Sequence, residues 1–292
     1  MLLSPDTLAK LERLDFAGRR PLHGPTHGER RGARRGRSVE FADYRNYVQG
    51  DDLRFVDWNI AARLDRYFVK LFLEEEDLRV SLLVDASPSM SFGEPTKLLA
   101  AQRLVAALGF IGLVRGHRVS VGTLGDEARG AGRVWRGRHA AQALFAAIES
   151  FPATERTSLL EGARRFQLRR TRREVVVLVS DLLDKSGYEP ALRALTSRQG
   201  DVTVVHLLSR EELHPEATGE LKLIDAEDEE AVEITAGPEL LAAYERTLQA
   251  FLRDAREFCR RRGLGYLAID NVTPVEQVVA GALRGGGGLV RS

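Results

Sequence analysis

The run LLVDASPSM, from Leu82 to Met90, closes an apolar stretch with Asp85 and follows it with Ser87 and Ser89. One oxygen-bearing side chain is enough for a turn; here a carboxylate and two hydroxyls fall at a spacing of two, with Ser91 just beyond. Two other stretches offer matching oxygens. TERTSLLEG carries Thr154, Thr157 and Ser158 ahead of a helix, and VVLVSDLLD reaches Asp181 at the end of another apolar run. Asp85, Ser87, Ser89, Thr157 and Asp181 together supply two carboxylates and three hydroxyls, with no thiolate or imidazole among them. Hard divalent cations choose such donors. Magnesium takes oxygens in near-octahedral geometry and keeps several waters, whereas sulfur and imidazole favour zinc or copper; manganese and calcium are the alternatives for the same oxygens. Neutral hydroxyls leave much of a cation's charge uncompensated, so an ion held this way attracts a carboxylate from outside. Taken singly, each of these residues is more often a helix cap or turn residue than a ligand, because Ser, Thr and Asp satisfy free backbone N–H groups. The metal reading requires loops far apart in sequence to converge.

The elements around these residues give the means. From Leu78 the chain alternates apolar strand, polar loop and amphipathic helix. LRVSLLVD and EVVVLVSD are buried strands, the second with five consecutive apolar residues, the mark of a strand covered on both faces. KLLAAQRLVAALGFIGLVRG reads as a helix closed by Gly116, and further strands follow at HRVSVGTLG, DVTVVHLL and GLGYLAID. GELKLIDAEDEEAVEITA reads as a hairpin, and a long helix is expected from about Glu239 to Arg262. This alternation predicts an α/β fold, a mostly parallel sheet sandwiched by helices. Ligands in such sheets bind outside the carboxyl ends of the strands at a topological switch point, which assigns Asp85, Asp181 and Asp270 to one edge.

The totals, 43% hydrophobic and 29% charged residues with a net charge of +1, are those of an ordinary globular protein. Its single cysteine, Cys259, cannot form an internal disulfide; a helix-packing role and a reducing, cytoplasmic location are expected. No apolar stretch approaches the roughly 20 residues of a membrane span, and MLLSPDTLAKLERLDF carries charges from Asp6 onward, unlike a signal peptide. The first segment, to about Ala17, reads as a short amphipathic helix. Charge is unevenly placed: Arg19 to Arg37 holds seven arginines against Glu29 alone, and Glu211 to Glu233 holds ten acids against Lys222 alone. The arginine-rich arm could touch nucleic acid phosphates, but it has no aromatic residue for stacking. A solvated arm, or one docked on the acidic hairpin, is the expectation.

The order of DASPS, the Thr157 loop and Asp181 resembles the metal-ion-dependent adhesion site of von Willebrand factor A domains, whose pattern is Asp-x-Ser-x-Ser, then Thr, then Asp. All of its positions are filled here. In addition, YRNYVQGDDLRFVDWNIAAR, Tyr44 to Arg63, is similar to the signature of domain of unknown function 58. The resemblance runs from about Arg35 to the last strand and helix. It implies a von Willebrand factor A-like domain over 77–284 with a β-hairpin insertion, a family-specific segment with the basic arm over 1–76, and a flexible Gly-rich tail over 285–292. It also implies a non-catalytic, magnesium-dependent adaptor for a MoxR-type AAA+ ATPase, gripping an acidic residue of that partner or of a client. The chain has no GxxxxGK phosphate loop of its own, so nucleotide-driven work would fall to the partner.

Other readings stand beside this one. A strand-end Asp85 with magnesium would also suit a phosphoryl-transfer enzyme, but the position two residues on, where such an enzyme places its acid, is Ser87. Asp184 is expected to be an exposed loop acid. The charges of Asp51, Asp52, Arg54, Asp57 and Arg63 read either as a recognition surface or as an ion-pair network fastening the N-terminal part to the main domain, the second being the expectation, with Trp58 a packing anchor.

Overall fold

The computed structural model describes residues 2–16, 40–73, 78–124, 133–152, 158–169, 174–196, 200–216, 219–224, 231–284 and 290–291. The chain divides into two compact units, one of residues 1–19 with 78–292 and one of residues 20–77. The arginine-rich arm, residues 17–39, lies outside the described residues.

The larger unit is built on one sheet of β1 (Arg79–Asp85), β2 (Arg118–Leu124), β3 (Trp135–Arg136), β4 (Val175–Ser180), β5 (Asp201–Leu208) and β6 (Gly265–Asp270). The strand order is β6-β5-β4-β1-β2-β3, parallel except for the short β3, so the expected α/β sheet is observed. Successive residues of the central strands face opposite sides. Val80, Leu82, Val84, Val175, Val177 and Val179 belong to one apolar cluster, while Leu83, Val176 and Leu178 belong to the other. Both faces are covered, which is why these strands read as unbroken apolar runs. On the first face lie α1 (Lys97–Val114), α2 (Ala141–Glu149) and the late helix Val275–Arg284. On the second lie α3 (Leu159–Arg169), α4 (Glu189–Leu195) and the long helix Pro238–Arg261, which buries Cys259. Among the described residues, α1 alone has the length and composition to cross a membrane, and 78% of it is buried in this core.

The order of crossing matters for function. From β1 the chain builds outward through β2 and β3, then returns to the opposite side of β1 to lay down β4. The switch point therefore falls between β1 and β4, and their carboxyl ends carry Asp85 and Ser180–Asp181.

The first helix, Pro5–Leu11, belongs with this unit rather than with the segment that follows it: Leu2, Leu3 and Leu11 enter the core, and Arg115 donates to the carbonyls of Arg13 and Leu14, each at 2.8 Å. The end of the tail is likewise in register, Asp15 and Phe16 pairing antiparallel with Arg291 and Val290. The expected hairpin forms from Gly219–Ile224 and Ala231–Ala236.

The smaller unit pairs Glu40–Asn46 antiparallel with Phe68–Leu73 and sets the helix Trp58–Leu64 between them in sequence. Asp57 caps that helix, accepting from the N–H groups of Asn59 and Ile60, and is met by Lys70 at 2.9 Å and the Tyr44 hydroxyl at 3.1 Å. Asp51 pairs with Arg45, and Asp52 with its neighbour Arg54. These ion pairs are internal to the unit, as turn and cap chemistry. Trp58 is no packing anchor: it is 58% exposed, edge-on to Tyr67 at 6.3 Å.

Gly162 of α3 fixes how closely that helix approaches β2. A Cβ there would lie 3.0 Å from the Leu124 Cβ and 3.1 Å from its Cα, and backbone in a central strand cannot yield. Gly281, in the late helix, has nothing within 4 Å. Alanine in place of helical glycine gains about 1 kcal/mol of propensity, while overpacking costs about 1–3 kcal/mol. Urea unfolding should therefore show Gly162→Ala destabilised and Gly281→Ala stabilised by about 1 kcal/mol. Equal shifts of the same sign would show that α3 does not press on Leu124.

Candidate metal centre

Asp85 ends β1 and is 1% exposed. Its Oδ1 accepts from the Ser87 N–H at 3.0 Å, the turn by which a short carboxylate stabilises the backbone two residues on. Its Oδ2 accepts from the Ser180 hydroxyl at 2.6 Å. The loop then forms a short 3-10 turn, Pro88–Ser91, pinned from below by the fully buried Met90. Within it the Ser87 and Ser89 hydroxyls lie 2.9 Å apart. The alternation that the sequence displays thus leaves two hydroxyls side by side above a buried carboxylate.

Asp181 follows β4 directly and is equally buried. Its Oδ1 accepts from the Leu183 N–H at 3.1 Å, and its Oδ2 accepts from the Lys97 ammonium at 2.8 Å. Just before Asp181, Ser180 donates its Oγ–H to Asp85 and accepts from the Leu182 N–H at 2.9 Å. Leu182 adopts φ +59° although it is a buried leucine. That left-handed conformation costs a non-glycine residue about 1–3 kcal/mol and persists only where its surroundings enforce it. The surroundings here include His206 of β5, whose Nε2 lies 2.9 Å from the Asp181 carbonyl and whose Nδ1 lies 2.8 Å from the Tyr266 hydroxyl. A carbonyl only accepts, so Nε2 carries the proton and Tyr266 donates to Nδ1. Burial pushes this imidazole down to about 4, which keeps it neutral.

Lys97 is the first residue of α1 and is completely buried. Besides Asp181 it meets Glu212 Oε1 at 2.5 Å. Glu212 is held in turn by a capping box, accepting from the Ser209 N–H at 2.6 Å while its own N–H donates to the Ser209 hydroxyl at 3.0 Å.

Of the five expected ligands, Asp85, Ser87, Ser89 and Asp181 are brought to the switch point, and Thr157 lies outside the described residues. The helix after Thr157 is tied to the same edge, since the Leu159 N–H donates to Asp184 Oδ2 at 2.8 Å. Asp184 is therefore a half-buried cap rather than the exposed loop acid expected. Asp270 holds a local turn, accepting from the Thr273 N–H at 2.6 Å. Four residues of this site escaped the sequence reading: Lys97, Ser180, His206 and Glu212. Lys97 left a trace, a charge opening a mostly apolar helix; Glu212 was lost among the acids around it.

The donor set suits a hard cation. Among the described residues no three His, Cys, Asp or Glu side chains gather in a group that could hold a metal ion, so an ion here would depend on the serine hydroxyls as well as on the two acids. Among the described residues each carboxylate oxygen of Asp85 and Asp181 accepts at least one donor, and an ionised carboxylate offers about four lone-pair sites. Burial first, and then the Asp181 carboxylate, push the Asp85 carboxyl up to about 7, since both disfavour its ionised form.

A folded-state value near 7 against 3.8 ordinarily means that the folded protein binds this proton more tightly than the unfolded chain. The resulting stability is complete below about pH 4 and is lost as pH rises through about 7. His206 has the opposite sign, stability being lost as pH falls from 6.5 through about 4, so the test compares variants. Asp85→Asn mimics the protonated acid. In metal-free buffer it should match the wild type in urea near pH 4 and become progressively more stable than it toward pH 7. A difference that stays constant with pH would contradict this electrostatic picture.

Comparison with known proteins places the chain. It is 27% identical over 290 residues to Uncharacterized protein Rv1480 of Mycobacterium tuberculosis, covering 96% of this chain and 91% of that one; Uncharacterized protein Mb1516 of Mycobacterium bovis matches to the same extent. Among solved structures it is similar to the conserved hypothetical protein BatB from Bacteroides thetaiotaomicron, with 13% identity and a TM-score of 0.46 over 72% of this chain and 98% of that one. It is also similar to proximal thread matrix protein 1 from the mussel byssus with a zinc-occupied MIDAS motif, with 16% identity and a TM-score of 0.35 over 44% of this chain and 35% of that one. Residues 43–251 match the protein family of unknown function DUF58, and the chain belongs to that family.

Proposed function

We propose that the chain is a non-catalytic interaction module that grips an acidic residue of a partner protein through a divalent cation. Asp85, Ser87, Ser89, Thr157 and Asp181 would hold the ion, some of them through water, and magnesium is the expected occupant. When bound, the ion would supply an electrophilic coordination position for a foreign Glu or Asp. The chain's own residues do the rest. The Ser87 and Ser89 hydroxyls offer neutral donors, Ser180 and the Ser87 N–H fix the Asp85 carboxylate, and Leu183 fixes Asp181. The observation that carries the reading is this convergence at the β1/β4 switch point, where strand topology leaves a crevice for a ligand. A MoxR-type AAA+ ATPase, or its client, is the partner we infer from the resemblance of the sequence, the chain having no phosphate loop.

Phosphoryl transfer from Asp85 is less well supported. The carboxylate is 1% exposed with both oxygens accepting hydrogen bonds, and the residue two positions on is a serine.

Calorimetric titration of the metal-free protein with magnesium or manganese should show one site, weakened at least about tenfold by Asp85→Ala and by the double change Ser87→Ala with Ser89→Ala, with circular dichroism unchanged. Capture of a MoxR-type ATPase should then require magnesium and fail in chelator and in these variants. Capture that persists undiminished in chelator or in Asp85→Ala would overturn the metal-mediated grip.

A further inference from the structure

Lys97 is in an unfavourable place. As the first residue of α1 it opposes the partial positive charge of a helix N-terminus, and its ammonium is wholly removed from water. An apolar residue would pack there at less cost. What holds the ammonium is a pair of acids from separate elements, Asp181 Oδ2 at 2.8 Å after β4 and Glu212 Oε1 at 2.5 Å after β5. The geometry follows from the sheet: Asp181 continues the alternation of Val175, Val177 and Val179, which face the side on which α1 packs. Glu212 is anchored independently by Ser209. The loop beyond Ser91 is packed on the same segment, since a Cβ on Gly93 would lie 2.7 Å from the Ser209 Cβ and 2.6 Å from the Asn271 Nδ2.

We propose that Lys97 is a tethered cation competing with the divalent ion for Asp181, and that Glu212, by drawing the ammonium toward itself, sets how strongly it competes. This deepens the metal reading and rests on it. Every charge the ion would bring must be accommodated beside one already in place, so a site with Lys97 binds its ion weakly unless a partner's carboxylate adds to the coordination. The module is thereby biased toward binding ion and partner together rather than the ion alone. A plain structural ion pair would hold β4, β5 and α1 together without making this bias.

The test is calorimetry of magnesium and manganese binding to the full chain in three forms: wild type, Lys97→Met and Glu212→Gln. Removing a unit charge a few ångströms from the ion should be worth about tenfold or more in affinity. Lys97→Met should therefore bind at least about tenfold tighter. Glu212→Gln, which leaves the ammonium to Asp181 alone, should bind severalfold weaker. Glu212→Gln keeps the lysine's charge compensated by Asp181 and is the variant to rely on if Lys97→Met does not fold. Lys97→Met binding no tighter than the wild type, or Glu212→Gln binding as well or better, would overturn the competition while leaving the metal site standing. Absence of binding in all three would overturn the metal reading itself, and this inference with it.

Discussion

Two carboxylates buried side by side at the end of a parallel sheet are the constraint from which the rest follows. Asp85 and Asp181 are each 1% exposed, and like charges out of water repel strongly unless cations and hydrogen-bond donors attend them. The structure meets this need piece by piece. Ser180 and the Ser87 N–H attend Asp85; Lys97 and the Leu183 N–H attend Asp181. Even so, burial and the Asp181 carboxylate disfavour the ionised form of Asp85, as its raised proton affinity records. A hard cation beside the serine pair would favour that form, and the uncommon features around the site, a left-handed leucine and a buried lysine at a helix start, are arranged around the same two acids.

Fold and site were legible in the sequence to different depths. The parallel sheet could be read because both of its faces are buried, so its strands appear as unbroken apolar runs such as Val175–Val179. Asp85, Ser87 and Ser89 could be read because spacing within one loop is a local property. Asp181 could be read only through the topological rule, since nothing local says that β4 returns beside β1. Lys97 and Glu212 could not, because the ion pair joins residues 115 positions apart, and a lysine opening a helix looks like any solvated charge until its burial is known.

The smaller unit shows the opposite case. Its aromatics and mixed charges have no clean period, because its antiparallel pair is short and a bulge between Phe41 and Asp43 breaks the alternation. Its charges serve local caps and turns: Asp57 on its own helix, Asp51 on Arg45, Asp52 on Arg54. Trp58 was misread because size alone suggests burial, whereas its helix presents it outward. The end of the chain is a further case. A run of glycines suggests freedom, yet Val290 and Arg291 beyond it have a strand edge to join at Asp15 and Phe16.

The central claim is that sequence-distant loops converge to hold a hard cation over the serine pair. The most direct measurement is the anomalous scattering of manganese in crystals of the full chain. The account predicts one strong peak within coordination distance of the Ser87 and Ser89 hydroxyls, on the side of Asp181. Manganese bound elsewhere, or a saturated crystal with the Lys97 ammonium still on Asp181 and no peak at the serines, would contradict it.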